Sequence, residues 1–270
     1  MSGRKRSAQQ GIQSIEVGGL LLEALARARQ PQMLRDLAAA AGMPAAKAHR
    51  YLVSFARMGL VEQQAQTGRY DLGAFALELG LSALGRLDPV TMAGPALSSL
   101  CRRTGQTAAL AVWANQGATI VRWLGADTPV AASLRVGSVM PLTRSATGGA
   151  FLAFLPQEMT SRRVKKELAE NTRKGLSPAT ERELERFVAQ TRKHGCARTS
   201  EFIPGIGGVA APVFDHSRAM VLALIALGYS KPFDAAGAKI TDYVLEEAAG
   251  LSRRLGCKPD DSRSAESSGA

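Results

Sequence analysis

The sequence predicts an α+β chain in two parts: an N-terminal winged helix-turn-helix domain, then a linker helix and a C-terminal domain with a central antiparallel sheet. Three observations carry this expectation. Between Met33 and Gly73 a short apolar-periodic helix, a turn at Gly42-Met43-Pro44, a second helix and two β-prone runs around Gln66-Thr67-Gly68 follow one another. That is the order of a winged helix. After residue 90, β-rich runs joined by turn signals alternate with amphipathic helical runs, the pattern of helices packed on a sheet. With 270 residues, 46% of them hydrophobic, the chain can bury two cores of ordinary size.

Taken in order, residues 1–13 read as a disordered basic arm around Arg4, Lys5 and Arg6. The winged helix-turn-helix domain spans 14–73. Ser14 is placed to cap a first helix whose buried face is Ile15, Gly18, Gly19, Leu22 and Leu25, ending near Ala28 before Gln30-Pro31. The Gly18-Gly19 pair weakens that helix but lets another approach it closely. Residues 74–89 form the linker helix, apolar at Phe75, Leu77, Leu81 and Leu84 and ended by Asp88-Pro89. So apolar a connector calls for a second subunit to pack on it.

The larger domain spans 90–257 and opens with a helix over 91–103. Strands at 108–113 and 118–124 turn at Asn115-Gln116-Gly117, and 130–136 reads as a third strand. A helix at 146–155 follows, then amphipathic helices at 157–170 and 177–194, the latter with Ser177 and Pro178 as N-cap and N1. Apolar strands at 206–214 and 219–228 and a helix over about 235–255 complete it. The polar tail 258–270 reads as disordered, and there is no internal repeat.

Composition narrows the function. The net charge is +11, and residues 1–87 hold 11 basic against 6 acidic side chains, so positive charge is not confined to the head. It favours phosphate contact without requiring it. Cys101, Cys196 and Cys257 are widely spaced, with no CxxC and no Cys/His cluster. Neither a disulfide framework nor a metal site is expected, and no cofactor. His49, His194 and His216 do not cluster, and Gly205-Ile206-Gly207-Gly208 lacks the strand and helix of a dinucleotide loop. No apolar run reaches the ~18–20 residues of a spanning helix, and the N-terminus lacks a signal-peptide core. These features predict a cytoplasmic protein with no membrane partner.

In a winged helix the N-terminal half of the second helix meets base edges in the major groove. The exposed positions are then Ala45, Ala46, Lys47, His49, Arg50 and Ser54, with Ala48, Leu52 and Phe55 facing inward. Arg50 suits a bidentate guanine contact or a phosphate clamp, and Lys47 a phosphate or guanine. Ala45 and Ala46 allow close approach and contact with a thymine methyl. Arg69, at the hairpin tip, would reach the minor groove or its phosphates, and the basic arm could follow. The expected partner is double-stranded operator DNA, and the expected role is gene regulation. The alternative is an enzyme acting on a small metabolite through the C-terminal domain, with the basic N-terminus as a tether. It would need a convergent acid, base or nucleophile, and the sequence offers none.

Four segments point further: MPAAKAHRYLVSFARMGLVEQ with GRYDLG after it, TGQTAALAVW (104–113), MPLTRSATGGAFLAFLP (140–156) and HGCARTSEFIPGIGGVAAPVFD (194–215). On these the chain resembles the IclR family of bacterial transcriptional regulators along nearly all its folded length. The resemblance implies a GAF-like effector domain behind the linker helix. It implies homodimers, often paired into homotetramers, on operator DNA, and a small organic acid as effector. Repressor and activator look alike in sequence. Departures are informative. Ala45-Ala46-Lys47 replace the usual Lys-Ser-Thr, so base preference should differ. Thr143-Arg144-Ser145 replace His-Ala-Thr, and Gly149 replaces a Lys. The strand 224–228 lacks the hydroxyl side chains of members that bind very small acids, and Arg198 stands where acidic residues are frequent.

By that placement the effector site comprises Arg144, Ser145, Ala146, Thr147, Gly148, Arg198, Gly208, Ile225 and Leu227. A floor of Ile225 and Leu227 gains from apolar area. Arg144 and Arg198 would be the cations, or else surface residues. The loop 145–149 would supply N–H groups at a helix N-terminus. The expected effector is an aromatic or medium-sized apolar carboxylate. Glu201 reads as a pocket acid or a structural hydrogen-bonder, Trp113 and Trp123 as core or pocket wall, and Cys196 as buried.

Overall fold

Apolar stripes on the helices and alternation on the strands resolve into two units, Met1–Leu87 and Asp88–Ala270. The computed structural model describes residues 11–28, 30–125, 134–175, 179–229, 233 and 236–258, without the side chains of 200–202. The basic cluster at 4–6, most of the third strand expected over 130–136, the Ser177-Pro178 cap, the side chain of Glu201 and the tail beyond 258 lie outside them.

In the first unit, helices α1 (Gln13–Arg27), α2 (Leu34–Ala40) and α3 (Ala45–Arg57) precede the hairpin β1 (Val61–Gln63) and β2 (Tyr70–Leu72). Leu21, Leu25, Leu37, Ala38, Leu52, Val61 and Tyr70 form its core. The α2–α3 turn needs a left-handed residue, and Gly42 supplies it at φ 64°. The Met43 N–H then donates to the Ala38 carbonyl at 2.9 Å. Gly18 lies under the Tyr51 and Phe55 rings, which a Cβ would meet at 3.0 Å, so α1 and α3 approach closely there. Gln32 exchanges two backbone hydrogen bonds with Tyr70 (2.9 and 2.8 Å), anchoring the hairpin to the chain before α2.

Two expectations for α1 are corrected. The helix begins one residue before Ser14, behind Ile12, with no side-chain cap. Ile15 is 68% exposed, and the inward stripe runs through Gly18, Leu21 and Leu25, at helical spacing. Helix α4 (Ala74–Gly85) closes the unit and buries none of its residues.

In the second unit Asp88 caps the short α5 (Pro89–Met92), accepting from the Val90 and Thr91 N–H groups. Next come α6 (Gly94–Thr104), β3 (Thr107–Ala114) and β4 (Gly117–Leu124). Residues 134–138 form a turn rather than a strand, and only Val139 bridges to Thr119. Then follow α7 (Ala146–Phe154), α8 (Gln157–Arg173) and α9 (Glu181–His194). Thr180 caps α9 in a reciprocal capping box with Glu183. The last elements are β5 (Ala197–Ile203), β6 (Ile206–Phe214), β7 (Met220–Tyr229) and α10 (Gly237–Arg254).

The sheet order is β4-β3-β7-β6-β5, antiparallel throughout. Helix α7 packs on one face, while α6 and α10 cover the other. Both faces are buried, so β6 and β7 read as unbroken apolar runs. Strand alternation divides them: Ala223, Ile225 and Leu227 join the core beneath α7, leaving Leu222, Leu224 and Ala226, also buried, for the α10 side.

Candidate nucleic-acid interface and effector cavity

Helix α3 buries Ala48 and Leu52 and half-buries Tyr51 and Phe55. That orientation leaves Ala45, Ala46, Lys47, His49, Arg50 and Ser54 exposed. Lys47, Arg50, Tyr51 and Ser54 line a surface concavity of about 340 Å³ together with Ser14 from α1. The sequence reading took Ser14 for a cap and missed this placement. No salt bridge involves Lys47, Arg50 or Arg57 among the described residues, and the first turn of α3 carries no acidic residue. The face is therefore cationic, with small side chains at the helix N-terminus where anions are favoured. The Ser54 hydroxyl donates to the Arg50 carbonyl at 3.1 Å. Arg69 is exposed beside the hairpin turn, yet its guanidinium donates to the Pro31 carbonyl at 3.1 Å, which ties it to the start of α2.

In the second unit a narrow cavity of about 30 Å³ lies between α7 and the sheet. Ser145, Ala146, Thr147, Gly208, Ile225 and Leu227 line it, with Leu134, Met140, Thr199, Ile203, Ile206 and Gly207. Six predicted residues thus converge. Three do not. Arg198 points to the opposite face, where it donates to the Thr241 hydroxyl at 3.1 Å and packs against Gly237. Its neighbours Ala197 and Thr199 take the α7 side, as period two dictates. Arg144 is exposed and outside the lining. Gly148 sits under the preceding loop, where a Cβ would fall 2.2 Å from the Pro141 carbonyl oxygen; it packs the loop rather than the cavity. Thr199 is the polar lining residue absent from the expected set, alongside the apolar Leu134, Met140 and Ile203.

The polar groups left at the cavity are few. The Ser145 hydroxyl donates to the Pro141 carbonyl (2.6 Å) and accepts from the Gly148 N–H (2.9 Å). The Ala146 and Thr147 N–H groups, at the start of α7, have no partner among the described residues. Neither hydroxyl of Thr147 or Thr199 makes a hydrogen bond among those residues. At Gly208 a Cβ would make only ordinary contacts, with the Ala226 carbonyl oxygen at 3.8 Å and Ala146 at 3.9 Å. A wider groove of about 410 Å³ lies along α10, lined by Phe154 of α7, by Ala211, Pro212 and Phe214 of β6 and by Leu245, Ala248 and Ala249 of α10, with Arg218 and Arg253 at hand. Nearby, burial pushes the Cys196 thiol up, so it is a poor nucleophile.

Comparison with known proteins settles the lineage. The family model for the IclR helix-turn-helix domain matches residues 14–65. That for the bacterial transcriptional regulator IclR C-terminal domain matches residues 81–253. The chain belongs to the IclR family. It is similar to the glycerol operon regulatory protein of Streptomyces griseus, 33% identical over 91% of this chain and 97% of that one. It is also similar to the crystal structure of Pseudomonas aeruginosa HmgR, with a TM-score of 0.84 and 33% identity over 92% of this chain and all of that one. An IclR homologue from Microbacterium hydrocarbonoxydans, complexed with 4-hydroxybenzoate, shares the fold at a TM-score of 0.52 and 21% identity, covering 90% of this chain and 98% of that one. These relatives are transcriptional regulators, and the head of this chain is their helix-turn-helix. No helix among the described residues is long and apolar enough to cross a membrane.

Proposed function

We propose that this chain is a cytoplasmic, ligand-responsive regulator in which paired winged helices read a near-palindromic operator and the α7-face cavity takes a small aromatic carboxylate. The observation that carries the DNA half is the set of unpaired cations, Lys47 and Arg50, around one concavity on the exposed face of α3. Arg50 and Lys47 contact bases and phosphates, Ala45 and Ala46 admit the backbone of the duplex, and His49, Ser54 and Arg69 flank the contact.

Pairing comes from α4. Leu77, Leu81 and Leu84 are 64%, 59% and 39% exposed and fall on one stripe at i, i+4 and i+7. A second copy of the same helix offers the matching stripe, as an isologous dimer requires.

The effector half rests on polar groups that converge within apolar walls: two N–H groups of the α7 first turn and the hydroxyls of Thr147 and Thr199. A carboxylate held there leans on the helix terminus and hydroxyls, without Arg198. The 4-hydroxybenzoate bound by the Microbacterium homologue is a ligand of the class expected. At about 30 Å³ the cavity is far smaller than the roughly 300–1,000 Å³ of ordinary ligand sites. Ligand entry must therefore move side chains, and unbranched Met140 is the readiest to move. The competing location is the α10-face groove, favoured by its 410 Å³, within the usual range for ligands.

Titration of the full chain with 4-hydroxybenzoate and related benzoates tests this reading. Gly208→Leu should abolish binding, while Ala249→Trp, which fills the groove, should leave it unchanged. The reverse pattern moves the site to the groove. Binding of two- and three-carbon acids alone contradicts the aromatic class.

A further inference from the structure

The loop of residues 141–145 joins two residues of the α7-face cavity lining, Met140 and Ser145, and leads into α7, whose first turn also lines it. It is fastened in two ways. From within, Ser145 bonds back to Pro141 and on to Gly148. From outside, a single carboxylate on α8 grips it: Glu167 accepts from the Leu142 N–H at 2.7 Å, from the Thr143 N–H at 2.9 Å and from the Thr143 hydroxyl at 2.6 Å.

Leu142 and Thr143 are 1% and 7% exposed. Their N–H groups have no other acceptor among the described residues. A buried N–H pair with no acceptor is costly, and an ionised acceptor makes the strongest of such bonds. The inward face of α8 offers little else to hold the loop. Thr160 donates to its own Gln157 carbonyl, and Arg163 reaches instead toward Gln116 in the β3–β4 turn.

Resting on the reading that this cavity takes the effector, we propose that Glu167 is a positioning residue for it. Without touching the ligand, Glu167 holds the 141–145 loop so that the Ala146 and Thr147 N–H groups face the cavity in one fixed arrangement. The same three bonds tie α8 to the loop, so a ligand that displaces the loop also displaces α8. The opening of a 30 Å³ cavity is thereby coupled to a helix that never meets the ligand.

The test uses the full chain with Glu167→Ala, Glu167→Gln and Thr143→Val. Amide hydrogen exchange of the 141–149 segment is followed without ligand, and 4-hydroxybenzoate affinity and ligand-free DNA affinity are measured alongside. In Glu167→Ala the Leu142 and Thr143 amides should exchange at least about tenfold faster and the probe should bind at least about tenfold more weakly, with DNA affinity unchanged. Glu167→Gln and Thr143→Val should fall between it and the parent chain. Unchanged protection of the loop overturns the proposal. So does a rise in exchange spread evenly over the whole unit, which marks general destabilisation, and so does a loosened loop with unaltered probe affinity. If the parent chain ignores the probe, the aromatic reading of the cavity fails; the exchange comparison then decides by itself whether Glu167 fixes the loop.

Discussion

The α3 face presents Lys47 and Arg50 to solvent beside a concavity of 340 Å³, whereas the α7-face cavity keeps Thr147 and Thr199 behind apolar walls around 30 Å³. The first surface is ready for its partner. Duplex DNA brings its own charge, attracts the cations from a distance and needs no opening of the protein. On the proposed reading the second must widen before it can bind, and the cost of widening subtracts from affinity. A ligand changes the conformational balance only by preferring one state, and a cavity too narrow without ligand would supply that preference. A DNA-reading surface and a regulatory cavity would therefore demand opposite construction.

The largest expected effect breaks the DNA side of this contrast. Replacing Leu77 and Leu81 together by Glu should dissociate the proposed α4-paired dimer in light-scattering measurements. It should weaken operator binding about a hundredfold, because two heads on one particle bind by avidity; a double variant that stays dimeric would place the interface elsewhere. Next comes the loop that leads into α7. At Gly148 a Cβ would lie within 2.5 Å of Pro141 and Leu142 backbone atoms, which cannot swing aside. Gly148→Ala should cost about 3 kcal/mol, read as a lowered melting transition of the C-terminal unit; an unshifted transition would mean the loop yields easily. Smaller still, Lys47→Ala should reduce the slope of log affinity against log salt by about one and weaken all duplexes alike. A loss confined to one base position would make Lys47 a base reader.

The smallest effect is acid linkage at the caps, which neither site needs. Thr91, through its hydroxyl and N–H, holds the Asp88 carboxyl below the usual carboxylate range, and the Thr180 N–H and hydroxyl do the same for Glu183. Groups with depressed folded values stabilise the fold above their unfolded values and lose that contribution as pH falls through the folded ones. Stability should therefore decline slightly as pH drops below about 4, and Thr180→Ala should flatten that decline, as urea titrations at several pH values would reveal.

How far the sequence could be read followed the same contrast. The head was legible because its signals are local: the Gly42 turn, the stripe Ala48-Leu52 and the hairpin glycine each act within a few residues. Helix α1 was misread at its start because no side chain caps it, leaving periodicity alone to set the face. The cavity depends on long-range pairing. Strand β5 carries Arg198, Thr199, Ser200 and Glu201 in its middle, so hydrophobicity gave no sign of a strand, and it forms only as the edge partner of β6. The resemblance puts Arg198 in the pocket and is silent on Thr199; counting by two along β5 from buried Ala197 reverses both. Glu167 left no trace in sequence, since its partners are backbone N–H groups about 25 residues away.

The most direct test of the account is selection of bound duplexes from a random DNA library, run in parallel on the parent chain and Arg50→Ala. The account predicts one near-palindromic sequence enriched by the parent chain and lost by the variant. No enrichment, or equal enrichment by both, would contradict the assignment of α3 as the reading helix.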